Sequence, residues 1–295
     1  MIETHGTYAA HSQEAVLVDA NRAFLDRQPL AHVRRFLDLA CGPGTIGEIL
    51  LARAPGAHYH GIDADPAHVA LAADRFTALG YAVRRGYELT SDIVDGRPVV
   101  TLAVGSADDL PFPEAVFDCV TITNAIHLLP DKRRLVEAIA RVLRPGGLLA
   151  FNSAFYAGTL VDGTHAFYHE WIKSATVRIN EIDRSLKAEG KAGLKRVRGT
   201  TRKAFQNRWF SGEEWSALLG AFGLRTIDIH ERTLELDGAF FSSIGAYSGL
   251  AETLLSGYPV DVACEALQST VAPALAAVSR TSVPRNWLEL WARRD

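Results

Sequence analysis

The sequence predicts an α/β fold, with a doubly wound, mainly parallel seven-stranded sheet and helical insertions. Short apolar runs alternate with helix-length segments through the first half of the chain, which is typical of parallel βαβ units. A glycine-rich turn follows the first of these runs, where open α/β sheets bind ligands. With 48% hydrophobic and 22% charged residues, the 295-residue chain has the composition of an ordinary globular protein with a substantial core.

Each element is predicted from its local pattern. Residues 14–28 carry apolar positions at helical spacing, so a helix is expected before the first strand. Helices are predicted between the later parallel strands, and Asp65 is a predicted N-cap. The seven predicted strands are RRFLDLA (34–40), HYHGIDA (58–64), PVVTLAVGSA (98–107), AVFDCVTITNAI (115–126), GGLLAFNSAF (146–155), LRTIDIHERTLEL (224–236) and RNWLELWARR (285–294).

The elements group into four predicted segments. We expect an N-terminal helical cap, an α/β core, a helical lid insertion and a C-terminal segment that completes the sheet and carries a second helical insertion. The insertions could cover the mouth of the sheet or form surface helices, and both interpretations stay open. The predicted boundaries are 1–30 for the cap, 31–153 for the core, 154–205 for the lid and 206–295 for the C-terminal segment, with its insertion at about 238–279.

Composition and charge exclude several classes of protein. The formal net charge of -3 offers no whole-chain argument for binding nucleic acid or an anionic membrane. Three widely spaced cysteines, Cys41, Cys119 and Cys264, form no C-x-x-C pattern and argue against a disulfide framework or a zinc site. Without a signal-like N-terminus or a membrane-length apolar run, we expect a cytoplasmic protein that does not insert into membranes.

The glycine-rich turn has the literal spacing G-x-G-x-x-G at Gly42, Gly44 and Gly47. That spacing is typical of dinucleotide sites, but alone it is weak evidence. Asp38 lies in the strand that enters the turn, and its carboxylate would repel a pyrophosphate. A ligand with an ammonium and a sulfonium suits this carboxylate better, which points to S-adenosylmethionine (SAM).

The stretch FLDLACGPGTIGEIL resembles the first motif of the class I SAM-dependent methyltransferases. YHGIDADPAHVALA resembles the second motif, and VGSADDLPFPEAVFDCV the adenine-binding segment with the strand after it. NAIHLLPD and VLRPGGLLAF complete the pattern in order, so the resemblance covers residues 35–153, with a weaker match in the tail WFSGEEWSALLGAFGLRTIDIHE. It implies the Rossmann-like fold of that family, SAM as cofactor and S-adenosylhomocysteine (SAH) as product.

The resemblance also implies which residues bind the cofactor. Asp63, about twenty residues beyond the turn, would hold the ribose hydroxyls, although a turn or helix-capping role is the alternative. Many relatives have Asp at the position of Ser106, so adenine recognition stays open among Ser106, Asp108 and backbone groups. Asn124 would contact the cofactor or orient the substrate. The implied cofactor-binding residues are Asp38, Ala40, Gly42, Gly44, Asp63, Ala64, Ser106, Ala107, Asp108 and Asn124.

Methyl transfer from a sulfonium mainly requires positioning of the acceptor and exclusion of water. A general base is useful only where the acceptor must lose a proton. His127, at the end of the fourth predicted strand, is the candidate base, with packing under the cofactor as the alternative. No metal is expected, because the pair His165 and His169 has no evident third ligand.

The lid insertion is rich in aromatic residues that could line an apolar acceptor pocket or simply pack against the core. The predicted substrate-binding residues are Tyr156, His165, Tyr168 and Trp171. A basic run follows, which is either a solvated face or a contact for an anionic acceptor or an acidic carrier protein. This run comprises Lys187, Lys191, Lys195, Arg196, Arg198, Arg202, Lys203 and Arg208.

These observations together predict a SAM-dependent methyltransferase of biosynthetic metabolism that acts on an O, N or C atom of a small, partly apolar molecule. A methyltransferase of RNA, or of a carrier-bound or phosphorylated intermediate, is the alternative, although no RNA-binding module is recognisable and nucleic acid is not expected. A non-catalytic SAM-binding module is a second alternative. Monomer and homodimer both stay open.

Overall fold

The computed structural model describes residues 11–89, 93–94, 97–196 and 208–295. These residues fall into two compact units, which are described separately. The sheet unit comprises Leu17–Ala157, Arg208–Arg232 and Trp287–Asp295. Within the described residues, the helical unit comprises residues 11–16, 158–196 and 233–286.

One sheet of nine strands carries the fold within the described residues. Its order is β3-β5-β2-β1-β6-β7-β9-β8, and β4 pairs with β5 outside this path. The strands are β1 (Arg35–Leu39), β2 (His58–Asp63), β3 (Ala82–Arg85), β4 (Ile93–Val94), β5 (Arg97–Val104), β6 (Phe117–Thr123), β7 (Leu143–Ser153), β8 (Leu224–Asp237) and β9 (Ser282–Arg294).

The strand pairing is mainly parallel. Strands β3, β5, β2, β1, β6 and β7 pair in parallel, whereas β9 runs antiparallel to β7. The predicted α/β fold class is therefore confirmed. The strands β3 and β4 were not predicted, because they have only four and two residues and the residues of β3 are partly exposed. They add to the seven predicted strands.

Ten α-helices and a single 3-10 turn, Ile126–Leu128, occur in the described part of the chain. Asp65 is the N-cap of α3, as predicted, and its side chain accepts a 2.9 Å hydrogen bond from the Ala67 amide. Pro66 occupies the first helical position, where its missing N–H is not needed. The helices are α1 (Ala15–Leu25), α2 (Thr45–Arg53), α3 (Pro66–Ala78), α4 (Lys132–Val142), α5 (His165–Ala188), α6 (Gly212–Gly220), α7 (Gly238–Gly245), α8 (Ser248–Leu254), α9 (Val260–Ser269) and α10 (Val271–Ala277).

Two apolar clusters form the core of the sheet unit. The adjacent residues Phe36 and Leu37 belong to different clusters, because successive side chains of a strand point to opposite faces of the sheet. One cluster includes Phe117, Phe151 and Trp215, and all three are at least 98% buried. Since both faces are covered, the ligand edge of this sheet is formed by the turns that follow its strands.

Helix α5 is the longest element of the helical unit, with 24 residues. Trp171 is buried on it, and its indole N–H donates a 2.8 Å hydrogen bond to the Leu267 carbonyl in α9. The Phe167 and Phe241 rings pack together, with centroids 4.6 Å apart. An aromatic core thus joins α5 to the helices after β8. Among the described residues, no helix is long and apolar enough to cross a membrane.

Candidate active site

The turn after β1 is built on left-handed backbone. Ala40, Gly42 and Gly44 have φ values of 53°, 54° and 82°, and Gly44 is the N-cap of α2. A Cβ on Gly44 would lie 3.0 Å from Cε2 of Phe76, so both its conformation and its surroundings require glycine. This turn brings backbone close to the carboxyl end of β1, where a ligand can approach it.

Gly47 serves a different purpose from the two glycines before it. A Cβ there would lie 2.7 Å from Cζ of Phe76 and closer still to the Tyr59 ring. This glycine therefore allows α2 to pack on the side chains of β2 and α3. The third glycine of the literal spacing is explained by packing, and it gives no support for a dinucleotide.

Asp63, the last residue of β2, connects that strand to the glycine turn. Its Oδ2 accepts a 2.8 Å hydrogen bond from the Gly42 amide, and its Oδ1 accepts a 2.9 Å bond from the Asp65 amide. His68 Nδ1 also lies 3.3 Å from Oδ1. The structure thus brings together two predicted cofactor-binding residues, Gly42 and Asp63, while their binding roles stay predictions.

His68 was missed by the sequence analysis. It lies on the first turn of α3, five residues after Asp63, and it is half-buried. Burial alone would lower its pKa, but the hydrogen bond and charge of Asp63, together with the charge of Asp65, raise the pKa of His68 above its usual value. The signal in the sequence was a histidine on the first helical turn beyond the predicted ribose-binding acid.

Asp38 is buried inside the sheet, with 1% of its surface exposed. Its two oxygens accept 2.7 Å hydrogen bonds from the Tyr59 and Thr121 hydroxyls. Burial raises the pKa of Asp38 to about 7, assisted by the charge of Asp63 and opposed by the two hydroxyl hydrogen bonds. No cationic side chain forms an ion pair with it among the described residues, so a cationic ligand nearby would favour its ionised form.

The segment after β5 lies beside Asp63, because the Gly105 amide donates a 3.0 Å hydrogen bond to the Asp63 carbonyl. Here the Ser106 hydroxyl donates to Oδ1 of Asp108. Ala64 and Ser106 are exposed, Asp108 is half-buried and Ala107 is buried. The exposed hydroxyl of Ser106 is therefore already engaged by Asp108.

The end of β6 carries Asn124 in a left-handed conformation, with φ of 47°. Its amide donates to the carbonyl and Oδ1 of Asn152, at 3.0 and 2.9 Å, and its own Oδ1 accepts a 3.2 Å bond from the Ala154 amide. Asn152 in turn donates through Nδ2 to Asn21 on α1, at 2.8 Å. These bonds hold Asn124 firmly at the edge of the sheet that binds ligands in this type of fold.

His127 lies in the 3-10 turn three residues further on and is 6% exposed. Its Nδ1 is 3.1 Å from the Ser153 Oγ, and its ring centroid is 4.3 Å from that of Phe155. Because Ser153 contacts Nδ1, Nε2 is the ring nitrogen that could accept a proton from an acceptor molecule. The role of general base stays a prediction.

The predicted substrate-binding residues divide between the two units. Tyr156 is fully buried in the core of the sheet unit. His165, Tyr168 and Trp171 lie on α5 in the helical unit, where His165 is exposed and Trp171 is buried. In this structure Tyr156 and Trp171 serve packing, and the substrate roles of all four residues remain untested predictions.

Three of the eight residues of the basic run, Arg198, Arg202 and Lys203, lie outside the described residues. Of the described members, Lys187 pairs with Asp183 and Lys191 with Glu189, at 2.5 and 2.8 Å. Arg208 pairs with Glu214. Among the residues that the structure describes, no three His, Cys, Asp or Glu side chains converge to form a metal site.

The sequence profile of a family described as "Methyltransferase domain" matches residues 37–151, which contain the glycine turn, Asp63, Asn124 and His127. Over this segment the chain is similar to the class I SAM-dependent methyltransferases. SAM is the methyl donor of this family, and SAH is the product it releases.

The 27-O-demethylrifamycin SV methyltransferase of Amycolatopsis mediterranei is 34% identical to this chain over 48% of the chain and 47% of its own length. The demethylmenaquinone methyltransferase of Thermus thermophilus is 34% identical over 39% of the chain and 45% of its own length. The chain thus spans about half the length of these curated relatives.

A solved structure with the same fold is the YcgJ protein of Bacillus subtilis. It superposes with a TM-score of 0.56 and covers 94% of this chain and 98% of its own, at 17% sequence identity. At that identity the similarity concerns the fold alone, and it agrees with the mainly parallel sheet described above.

Proposed function

We propose that this protein is a SAM-dependent methyltransferase that transfers a methyl group to an O, N or C atom of a small, partly apolar acceptor in biosynthetic metabolism. The observation that carries the proposal is the hydrogen bond from the Gly42 amide to Asp63. It joins the glycine turn after β1 to the acid at the end of β2. Backbone amides and the carboxylate that we propose for binding the ribose therefore lie at one point on the sheet edge.

The residues around this point fit SAM, which supplies an activated methyl group on a sulfonium when it is bound. Gly42 and Gly44 let the ligand approach the backbone closely, since neither carries a side chain. Asp63 would hold the ribose hydroxyls. The carboxylate of Asp38, buried nearby without a cationic partner in the described part of the chain, favours a positively charged ligand over a pyrophosphate.

The work left to the protein is mainly to position the acceptor and exclude water. Asn124 is held by Asn152 and Ala154 and would fix the geometry where acceptor and sulfonium meet. Where the acceptor must lose a proton, Nε2 of His127 would accept it, with Ser153 holding the opposite ring nitrogen. Where no proton is lost, positioning alone suffices.

A small-molecule acceptor is supported by the two curated relatives, which are named for a demethylrifamycin and a demethylmenaquinone. A macromolecular, carrier-bound or phosphorylated acceptor depends on the basic run. Three of its five described members, Lys187, Lys191 and Arg208, are paired with carboxylates of this same chain, and Arg196 lies over the Tyr258 ring, so these four residues give that alternative no support. A non-catalytic SAM-binding module remains the second alternative.

Isothermal titration with SAH tests the cofactor assignment, with NADH as the parallel control. We expect micromolar binding of SAH, loss of that binding in Asp63→Ala and no binding of NADH. Binding of NADH instead of SAH by the folded protein would overturn the proposal. Methylation of a panel of small acceptors, followed by the mass increase of the product, then separates the enzyme from the non-catalytic module.

A further inference from the structure

The position of His68 suggests how the site changes when the cofactor binds. In this structure its Nδ1 lies 3.3 Å from Oδ1 of Asp63, in a half-buried position on the first turn of α3. The same oxygen already accepts from the Asp65 amide at 2.9 Å. The other oxygen, Oδ2, accepts from the Gly42 amide at 2.8 Å.

The acceptor capacity of Asp63 limits what else can bind to it. An ionised carboxylate offers about four acceptor positions, roughly two on each oxygen. In this structure Oδ1 has two donors and Oδ2 has one. A ribose diol that donates one hydroxyl to each oxygen finds a position on Oδ2 but none on Oδ1.

Of the two donors to Oδ1, His68 is the one that can leave. The Asp65 amide belongs to the residue that caps α3, so moving it would disturb the start of that helix. His68 is a side chain that can rotate, and its contact is 0.4 Å longer than that of the Asp65 amide. Losing a long side-chain contact costs less than breaking a backbone turn.

We propose that His68 occupies a ribose-binding position of Asp63 in the free protein and leaves it when the adenosyl cofactor binds. The inference rests on the proposed function, because it requires that Asp63 binds the ribose. It makes His68 a positioning residue that holds the Asp63 carboxylate in place until the hydroxyls of the cofactor replace it.

This exchange couples cofactor binding to the release of a proton from His68. The charged groups near His68 are Asp63 and Asp65, which raise its pKa against the opposing effect of burial. Arg85 on β3 is a nearby positive charge, because its guanidinium donates to the carbonyl of Val69, the residue after His68. When His68 leaves Asp63, the pKa of His68 falls and its proton is released. Because cofactor binding then releases a proton, the affinity for the cofactor rises with pH by at most about tenfold per pH unit.

The test measures SAH affinity by isothermal titration from pH 5.5 to 8.0 and the His68 pKa by NMR, with and without SAH. We expect the His68 pKa to fall on saturation with SAH in the wild type. His68→Leu removes both the donor and the charge, so it should bind SAH more tightly than the wild type at pH 5.5 and depend less on pH. His68→Asn keeps a neutral donor, so it should lose the pH dependence and match the wild type at pH 8.0.

His32→Leu replaces an exposed histidine ahead of β1 and is the matched control, which should keep the wild-type pH dependence. Thermal unfolding verifies that each variant is folded. SAH binding with the same pH dependence in wild type and His68→Leu, and an unmoved His68 pKa, would overturn this inference and leave the proposed function standing. Failure of SAH to bind the folded wild type at every pH would overturn both.

Discussion

Replacing Asp38 with asparagine should stabilise the cofactor-free protein increasingly as the pH rises. Burial raises the pKa of Asp38 from 3.8 to about 7. The folded state therefore binds more protons at this site than the unfolded state between about pH 4 and pH 7, and stability is lost as the pH rises through that window. Asparagine does not titrate, so it removes this loss.

The magnitude follows from the same pKa. A rise from 3.8 to about 7 corresponds to about 4 kcal/mol at high pH, because each unit carries about 1.4 kcal/mol. Between pH 5 and pH 8 the free energy of unfolding of Asp38→Asn, relative to wild type, should rise by about 2–3 kcal/mol. The Tyr59 and Thr121 hydroxyls can rotate to suit the amide, and any cost of this exchange is the same at both pH values.

Urea unfolding at pH 5 and pH 8, followed by circular dichroism, measures this difference. Unfolding of the wild type alone does not isolate the effect of Asp38. Burial lowers the pKa of His60 to about 3, so the stability that this histidine contributes rises with pH up to about pH 6.5, opposite to the effect of Asp38. The difference between wild type and Asp38→Asn isolates the carboxylate. A difference that stays flat or falls between the two pH values would refute the reasoning that Asp38 is an uncompensated buried acid.

Three further substitutions test other parts of the site. Gly44→Ala, which meets both a φ of 82° and the Phe76 ring, should cost about 1–3 kcal/mol of stability and weaken SAH binding, as shown by thermal unfolding and isothermal titration. His127→Asn should leave SAH affinity nearly intact and lower the rate of transfer to a proton-bearing acceptor; unchanged turnover would remove His127 from the role of base. Trp171→Ala should destabilise the helical unit by about 3–5 kcal/mol, since it creates a cavity and removes the hydrogen bond to Leu267, and a loss below about 1 kcal/mol would contradict its burial.

Much of the sheet could be predicted because its signals are local. The apolar strands, the glycine turn and the cap at Asp65 each depend on residues close together in sequence. Strand β3 was missed because its four residues are only partly buried, so the apolar alternation that identifies strands is absent. Helix α5 lies within the segment predicted as a helical lid insertion, but no local pattern shows that its Trp171 bonds to Leu267, 96 residues away.

In the candidate site, too, local motifs could be predicted from the sequence, whereas contacts between distant residues could not. Motif positions predicted Gly42 and Asp63 as cofactor-binding residues, and in the structure the two are joined by a 2.8 Å hydrogen bond. The sequence could not show that Asp38 is enclosed by Tyr59 and Thr121, because these partners lie on two other strands. Nor could it show that His68 competes for Asp63, since that depends on the geometry of one helical turn.

We propose that the glycine turn and Asp63 together bind the adenosyl cofactor. A crystal structure of the protein with SAH tests it most directly. We predict both ribose hydroxyls within about 3 Å of the Asp63 oxygens, His68 turned away from Oδ1, and the thioether facing Asn124 and His127. SAH bound elsewhere on the chain, or at this edge with no contact to Asp63, would contradict the account.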